Sequence, residues 1–284
     1  MNINLSCKWI LLFLTFATYA GYGRTIIPIE INDGGYIFIK VTLNGGTDAR
    51  FMLDTGAGVN VISKELFEKI RSTLKEEGLH TGIRHNGEQI TGMLYRLPEL
   101  SIGSFSKQHV TIGIYERLND FDGLLSLDYF RETPFTIDFV THQLIIEEST
   151  DLAAIRKTGV SIPVTLQKKG NHEIEFFVDV CFDNSVRCSA EFDTGAGFNM
   201  LMLHPAYIKK LNLKVPSESV NYGYYVYSTT LPVLTYCANP EKLINKNVFV
   251  GFKDGLIYDG LVGSGMFRTR RLTINVPGSE MVAH

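Results

Sequence analysis

The stretch "FMLDTGAGVNVIS", residues 51–63, occurs a second time in altered form as "AEFDTGAGFNMLM", residues 190–202. In each copy, apolar residues are followed by Asp-Thr-Gly-Ala-Gly, and an Asn stands two positions after this motif. A strand that ends in such a turn lets backbone N–H groups approach the Asp carboxylate. A single copy would most simply be a turn-capping Asp. Two copies at matching positions favour two carboxylates that work as a pair.

The similarity between the two halves of the chain extends well beyond this turn. Residues 36–58 align without gaps on residues 175–197, and both segments read as a strand, a tight two-residue hairpin and a second strand. Residues 121–130 likewise resemble residues 258–267. A repeat of this length in two copies predicts a duplicated domain. The predicted parts are an N-terminal lobe at 26–148, a connection at 149–159 and a C-terminal lobe at 160–284.

The composition favours a turn-rich β protein and argues against nucleic-acid binding. With 284 residues, of which 45% are hydrophobic, the chain can bury a large core. Its formal net charge of −3 provides no basic face for a nucleic acid. The 26 glycines and the alternating apolar segments predict a mostly β fold.

One short helix is predicted in each lobe, directly after the repeated turn. Ser63 is suited to be the N-cap of the first helix, and Gly78 is the predicted end of that helix. The second helix, within residues 204–213, is shorter and has Pro205 in its first turn. Residues 79–96 and 214–232 alternate enough to be hairpins.

The first 20 residues have the order of a secretory signal peptide. Lys8 precedes an apolar run at residues 9–20, which is too short to span a bilayer comfortably and ends in small residues. Cleavage near Ala20 would export the protein to a periplasm or to the extracellular space, and an uncleaved anchor is the alternative. The only N-glycosylation acceptor sequence, at Asn4, lies inside this signal, which favours a bacterial source.

The cysteine positions leave two interpretations open. If Asn184 and Ser185 form a two-residue hairpin turn, Cys181 faces Cys188 across the two strands. A disulfide between them would suit an oxidising compartment. The alternative is a pair of free thiols that pack as small apolar groups.

The repeated Asp residues point to acid–base chemistry. Pseudo-twofold symmetry would bring Asp54 and Asp193 together between the lobes. Two carboxylates at hydrogen-bonding distance do not readily ionise together, so they share one proton. One can then act as a general base on a water molecule while the other acts as a general acid.

The chain resembles the aspartic peptidase family, in the retropepsin-like form with D-T-G-A, as two lobes fused in one chain as in pepsins. The resemblance covers about 260 residues and implies a bilobal, mostly β fold. The sequence has no C-x-x-C and no H-E-x-x-H, so no metal and no cofactor are expected. The resemblance implies that the catalytic aspartates are Asp54 and Asp193, and that the residues orienting them are Thr55, Gly56, Thr194 and Gly195. It assigns no substrate-binding residues.

Two departures from the family pattern bear on this site. The family places a Gly in an apolar segment behind each Asp, which Gly263 matches, whereas Ser126 occupies the equivalent position of the first half. Ala57 and Ala196 stand where pepsins carry a hydroxyl. With fewer hydrogen bonds to the charged form, the carboxylate pKa should be higher than in those enzymes.

Two functions remain open. The first is an endopeptidase that cleaves extended polypeptide segments in a cleft between the lobes, as a monomer and without stable membrane insertion after signal cleavage. The second is a non-catalytic peptide- or glycan-binding protein with the same fold. A dinucleotide site is rejected because Val61 and Met200 stand where a third Gly is needed. His80, His85 and His109 are interpreted as surface or loop groups.

Overall fold

The computed structural model describes residues 24–116, 118, 120–170, 172–182, 186–215 and 225–284. Over these residues the protein is mostly β, which confirms the predicted fold class. The predicted export signal at 1–20 and the hairpin residues 183–185 lie outside the described residues.

Short strands with alternating burial make up most of the described chain, and short helices connect some of them. In chain order the strands are β1 (Thr25–Pro28), β2 (Glu30–Ile31), β3 (Ile37–Leu43), β4 (Thr47–Leu53), β5 (Asn60–Ser63), β6 (Lys75–Ile83), β7 (Gln89–Ile102), β8 (Phe105–Tyr115), β9 (Gly123–Leu125), β10 (Phe135–Asp138), β11 (Gln143–Ile146), β12 (Val160–Lys169), β13 (Glu173–Phe182), β14 (Val186–Phe192), β15 (Leu201–Leu203), β16 (Tyr227–Tyr236), β17 (Ile244–Phe252), β18 (Gly260–Val262), β19 (Arg271–Asn275) and β20 (Glu280–Ala283). The α-helices are α1 (Lys64–Ile70), α2 (Leu152–Thr158) and α3 (Ala206–Lys210). The 3-10 helices are Arg71–Thr73, Leu127–Phe130, Thr194–Ala196 and Ser264–Phe267.

The two halves of the chain repeat one strand order. The first half forms a sheet in the order β2-β3-β4-β9-β5-β8-β7-β6. The second half contributes β13-β14-β18-β15-β17-β16 to a larger sheet. In both halves the strand that precedes the Asp turn pairs in parallel with a short strand, as β4 does with β9 and β14 with β18. Each Asp therefore leaves a central strand rather than an edge.

A central layer joins the two halves. The remaining strands of the larger sheet run in the order β1-β11-β10-β19-β20-β12, and β10 pairs antiparallel with β19 in its middle. At that junction Thr136 lies opposite Thr273, and their buried hydroxyls are 2.7 Å apart. One continuous apolar cluster extends through both halves and this layer.

The strands that carry the aspartates are anchored by their alternating side chains. On β4, Phe51 and Leu53 are fully buried in the core. On β14, Ala190 and Phe192 are equally buried, and the ring of Phe192 meets that of Phe267 edge-on at 5.9 Å. Because side chains alternate along a strand, the residue between them on β14, Glu191, faces the opposite side.

The hairpins before each Asp turn have longer connections than the sequence predicted. Leu43 pairs with Thr47, and Phe182 pairs with Val186, so three residues rather than two separate each pair. In the first hairpin the connection uses left-handed backbone at Asn44, with a φ of 51°, and at Gly45, with a φ of 67°. This one-residue difference changes which side chains oppose each other across the second hairpin.

The predicted facing of Cys181 and Cys188 is wrong for this reason. Cys181 lies opposite Arg187 and Cys188 lies opposite Val180, so the two sulfurs point to opposite faces of the sheet. Cys181 instead forms a disulfide with Cys237, which follows β16 beside β13. Cys188 is a free, buried thiol.

This disulfide gives a testable expectation for stability and mass. It closes a loop with a sequence separation of 56, so replacing Cys237 by Ala, with Cys181→Ala in the same chain, should lower the free energy of unfolding by about 2–4 kcal/mol. Alkylation of the unreduced, unfolded protein starting at residue 21 should modify one thiol, at Cys188. Intact mass spectrometry and chemical denaturation measure both effects; three modified thiols would contradict the pairing.

The helices are shorter and more numerous than predicted. Ser63 is the predicted N-cap, and its Oγ accepts the Leu66 N–H at 3.1 Å, but α1 ends at Ile70. Gly78 does not end the helix; it lies in β6 at a register shift with a φ of 124°. The connection at 149–159, predicted only as polar, contains α2. No helix among the described residues is both long and apolar enough to cross a membrane.

Candidate active site

The two Asp turns are held together by threonines that reach across to the opposite half. The Thr55 hydroxyl donates to the Phe192 carbonyl at 2.8 Å and accepts the Thr194 N–H at 3.0 Å. The Thr194 hydroxyl donates to the Leu53 carbonyl at 2.8 Å and accepts the Thr55 N–H at 3.1 Å. Both threonines are fully buried, so water does not compete for these four bonds.

The glycine of each turn lies against the aspartate of the other. A Cβ placed on Gly56 would lie 2.6 Å from Cγ of Asp193, and one placed on Gly195 would lie 2.5 Å from Cγ of Asp54. Only a residue without a side chain allows so close an approach. The two carboxyl groups therefore meet at the centre of the molecule, and the structure brings together all six site residues predicted from the sequence.

The comparison with known families agrees with this geometry. Residues 39–129 match a family model described as aspartyl protease. This match supports an aspartic peptidase family assignment. The match spans the first Asp turn and reaches the 3-10 helix behind it, and it supports a protease-type function. No curated protein matches the chain.

The hydrogen bonds of the two aspartates are asymmetric. Asp54 Oδ1 accepts the N–H groups of Gly56 and Ala57, each at 3.0 Å. Asp193 Oδ1 is buried and has no hydrogen-bond partner among the described residues. Hydrogen bonds to a carboxylate favour its ionised form, so Asp54 is the better place for the negative charge.

The pKa values of the pair follow the same asymmetry. Burial raises the pKa of Asp54, and the hydrogen bonds from Asp193, Gly56 and Ala57 partly offset that rise. Burial raises the pKa of Asp193 well above its ordinary value, and the charges of Asp54 and Glu191 raise it further. Both effects favour the shared proton on Asp193 and the negative charge on Asp54, while the apparent pKa values belong to the pair.

Ser126, the departure from the family pattern, is accommodated without reaching the aspartates. Its hydroxyl lies 3.3 Å from Asn60 Oδ1 and accepts the Asp128 N–H at 3.2 Å, which caps the following 3-10 helix. In the other lobe the equivalent residue is Gly263, and the backbone around it leaves no room for a side chain. A Cβ there would lie 2.1 Å from the Gly197 carbonyl oxygen.

A cleft of about 360 Å³ opens over the two aspartates, and the β6–β7 hairpin covers it. The tip of this hairpin reaches the other lobe, where the Ile257 N–H donates to the His85 carbonyl at 2.9 Å. Nearer the aspartates, His80 Nε2 lies 2.7 Å from Glu173 Oε1. The interpretation of His80 as a surface or loop group is therefore wrong, since His80 lies in β6 and lines the cleft. His85 lies in the loop of the hairpin, as predicted, and also lines the cleft, and His109 is exposed.

Three buried glutamates that sequence reasoning missed line the cleft beside Asp193. We name them the acidic wall; its members are Glu173, Glu175 and Glu191. In the register of β13 and β14, Phe177 lies opposite Glu191, which places all three glutamates on one face. The available signal was the spacing of two residues, in Glu-x-Glu and in Glu-x-Asp. Among the described residues no group of three or more His, Cys, Asp or Glu side chains is placed to hold a metal ion.

The acidic wall should make the stability depend on pH. Burial, followed by the charges of Glu175 and Asp54, raises the pKa of Glu191 to about 8 from an ordinary 4.5. The folded protein thus holds a proton that the unfolded chain releases, and stability falls as the pH rises from about 4.5 to about 8. Each pH unit costs at most about 1.4 kcal/mol.

Glu191→Gln should remove this part of the loss. Urea unfolding of wild type and variant at pH 5 and pH 8 measures it, with the exposed Glu65→Gln as the control. An identical pH dependence in wild type and Glu191→Gln would contradict the raised pKa.

Proposed function

We propose that the protein is an aspartic endopeptidase that hydrolyses peptide bonds within extended polypeptide segments. The observation that carries this proposal is the crossed arrangement of the two turns, which sets Asp54 beside Asp193 on the floor of a cleft. Chemistry of this kind needs one ionised and one protonated carboxyl group, and the asymmetric hydrogen bonding supports that division.

In the proposed reaction Asp54 takes a proton from a water molecule while the water oxygen bonds to the peptide carbonyl carbon. Asp193 gives its proton to the carbonyl oxygen, and a tetrahedral diol results. Asp193 then takes a proton back from one hydroxyl as the carbon–nitrogen bond breaks. Asp54 passes its proton to the leaving nitrogen. The pair returns to its starting state, and water is the only co-reactant.

The cleft suits an extended chain. Its lining combines the polar floor with apolar side chains from both strands of the hairpin and from the sheet below. A β-like segment can use main-chain hydrogen bonds while its side chains enter the flanking pockets. We further propose that the protein is exported to a periplasm or to the extracellular space and that it acts there as a monomer on polypeptides.

The activity should peak at mildly acidic pH rather than near pH 2. Catalysis needs Asp54 ionised and Asp193 protonated, and the pKa of each group is raised. Raised pKa values shift both the acidic limb and the basic limb of the pH–rate profile to higher pH. A pH profile of kcat/KM measures this, and a maximum near pH 2 would contradict it.

The test of the function itself uses the chain from residue 21 onward. It is incubated with an unfolded protein at pH 3–7, with and without a statine-containing transition-state analogue. Internal cleavage that the analogue blocks is the expected result. Binding of the analogue without any cleavage would instead favour the non-catalytic peptide-binding alternative.

A further inference from the structure

The acidic wall stands next to the reacting groups but has no part in the proposed reaction. Its members are 9%, 7% and 4% exposed for Glu173, Glu175 and Glu191, yet all three line the cleft. Glutamate is rarely this buried unless it is paired. The equivalent of Glu191 in the other lobe is Met52, so the repeated architecture does not require a carboxyl group there.

Some carboxyl oxygens of the acidic wall have no hydrogen-bond partner within the described part of the chain. Glu191 makes no hydrogen bond or ion pair to any described residue, although it is 4% exposed. Glu175 Oε2 is buried without a partner, while its Oε1 accepts from Tyr258 Oη at 2.8 Å and from Lys169 Nζ at 2.5 Å. A buried carboxyl group without partners costs free energy that a ligand with suitable donors would recover.

The charges around the wall leave it acidic. Glu173 contacts His80, and Lys169 contacts Glu175. Arg84, a further basic side chain of the covering hairpin that lines the cleft, pairs with Glu88 at 3.1 Å. Asp54 and Asp193 add two further carboxyl groups to the same lining. The ligand that would best satisfy these carboxyl groups is therefore a cation with several N–H donors.

We propose that the acidic wall is a specificity pocket that binds a lysine or arginine side chain of the polypeptide substrate close to the scissile bond. This inference rests on the proposed peptidase function. Lysine and arginine carry an apolar stem that can lie along Leu261 and the Tyr258 ring, both of which line the same cleft. Their charged ends donate several hydrogen bonds, which carboxylates accept in short, strong pairs.

The proton on Glu191 fits this role. The pKa of Glu191 is raised to about 8, so at pH 5–7 the group is neutral and does not repel the other carboxylates of the acidic wall. A bound cation would favour the ionised form, and Glu191 would release its proton as the substrate enters.

The test uses hexapeptides that are acetylated and amidated and that carry statine in place of the scissile pair. Each flanking position in turn holds either lysine or norleucine, which has a similar stem but no ammonium group. Isothermal titration at pH 6 should show lysine binding about tenfold tighter or more at one position. The cleavable peptides of the same series should show a matching preference in kcat/KM.

Variants connect this preference to the wall. The Glu191→Gln, Glu175→Gln double variant should lose the lysine preference. Glu280→Gln, whose carboxylate contacts Arg156 and Asn275 outside the cleft, should keep it. An unacetylated peptide without lysine tests whether the wall instead takes a chain N-terminus, and tight binding of that peptide alone would overturn the side-chain assignment.

The outcomes separate the two proposals. Equal binding and equal cleavage of lysine and norleucine peptides by the wild-type protein would overturn the specificity pocket and leave the peptidase function standing. A lysine preference in binding without hydrolysis would refute the peptidase function and would leave the acidic wall as a binding site for a basic side chain. The wild-type comparison decides the question even where a variant fails to fold.

Discussion

Asp54→Asn should lower kcat/KM for peptide cleavage by at least about three orders of magnitude, and Asp193→Asn should do the same. Each substitution removes one of the two protonation states that the reaction needs. The double variant should be no worse than either single variant, because groups that act as a unit are not additive. A continuous peptide-cleavage assay on the four proteins measures these rates.

These variants should fold, which separates catalysis from stability. Asn keeps the shape of Asp, and loss of one buried carboxyl group relieves repulsion within the pair. The melting temperature of each single variant should equal or exceed that of the wild type. Asp122→Asn is the matched control: it lies in the repeated Asp-Gly-Leu segment, and its Oδ2 accepts the Arg50 N–H at 2.8 Å away from the cleft. Near-normal turnover in either single dyad variant would show that the two turns are inherited architecture.

Gly195→Ala should lower kcat/KM by about 100-fold or more while most of the fold survives. The added methyl group would lie 2.5 Å from Asp54 Cγ, so the carboxyl group must move. A displacement of about 1 Å at a reacting group commonly costs about 100-fold in rate. Gly56→Ala should act in the same way through Asp193.

Gly46→Ala provides the matched control for these glycine variants. Gly46 lies in the first hairpin, and a Cβ there meets no heavy atom within 4 Å. Kinetic constants and circular dichroism of the three variants give the comparison. If Gly195→Ala kept the wild-type rate, the close approach of Gly195 to Asp54 would not be a feature of the active protein.

The sequence was sufficient to predict the centre of the molecule. The duplicated Asp-Thr-Gly-Ala-Gly turn, with strands before it and an apolar segment after it, predicted which six residues meet. Symmetry explains this success, since two copies of one unit that pack about a common axis bring equivalent residues together. The prediction of a Ser63 N-cap also succeeded, because capping depends on residues only three positions apart.

The features that the sequence did not predict depend on long-range packing. The partner of Cys181 is set by how β16 lies beside β13, and a hairpin one residue longer than expected moved Cys188 to the other face. The contact between His80 and Glu173 joins residues 93 positions apart across the cleft. No local pattern encodes either contact. The acidic wall differs between the lobes, so the repeat that revealed the aspartates gave no indication of it.

The most direct test of a single active site shared by both lobes is calorimetric titration of a statine-containing hexapeptide into the wild type, Asp54→Asn and Asp193→Asn. In the proposed mechanism the analogue's hydroxyl would take the place of the attacking water between the two carboxyl groups, so its binding would need both of them. One molecule should bind per wild-type chain, and each single variant should bind at least about tenfold more weakly. Unchanged affinity in either variant, or two molecules bound per chain, would contradict a site built from one aspartate of each lobe.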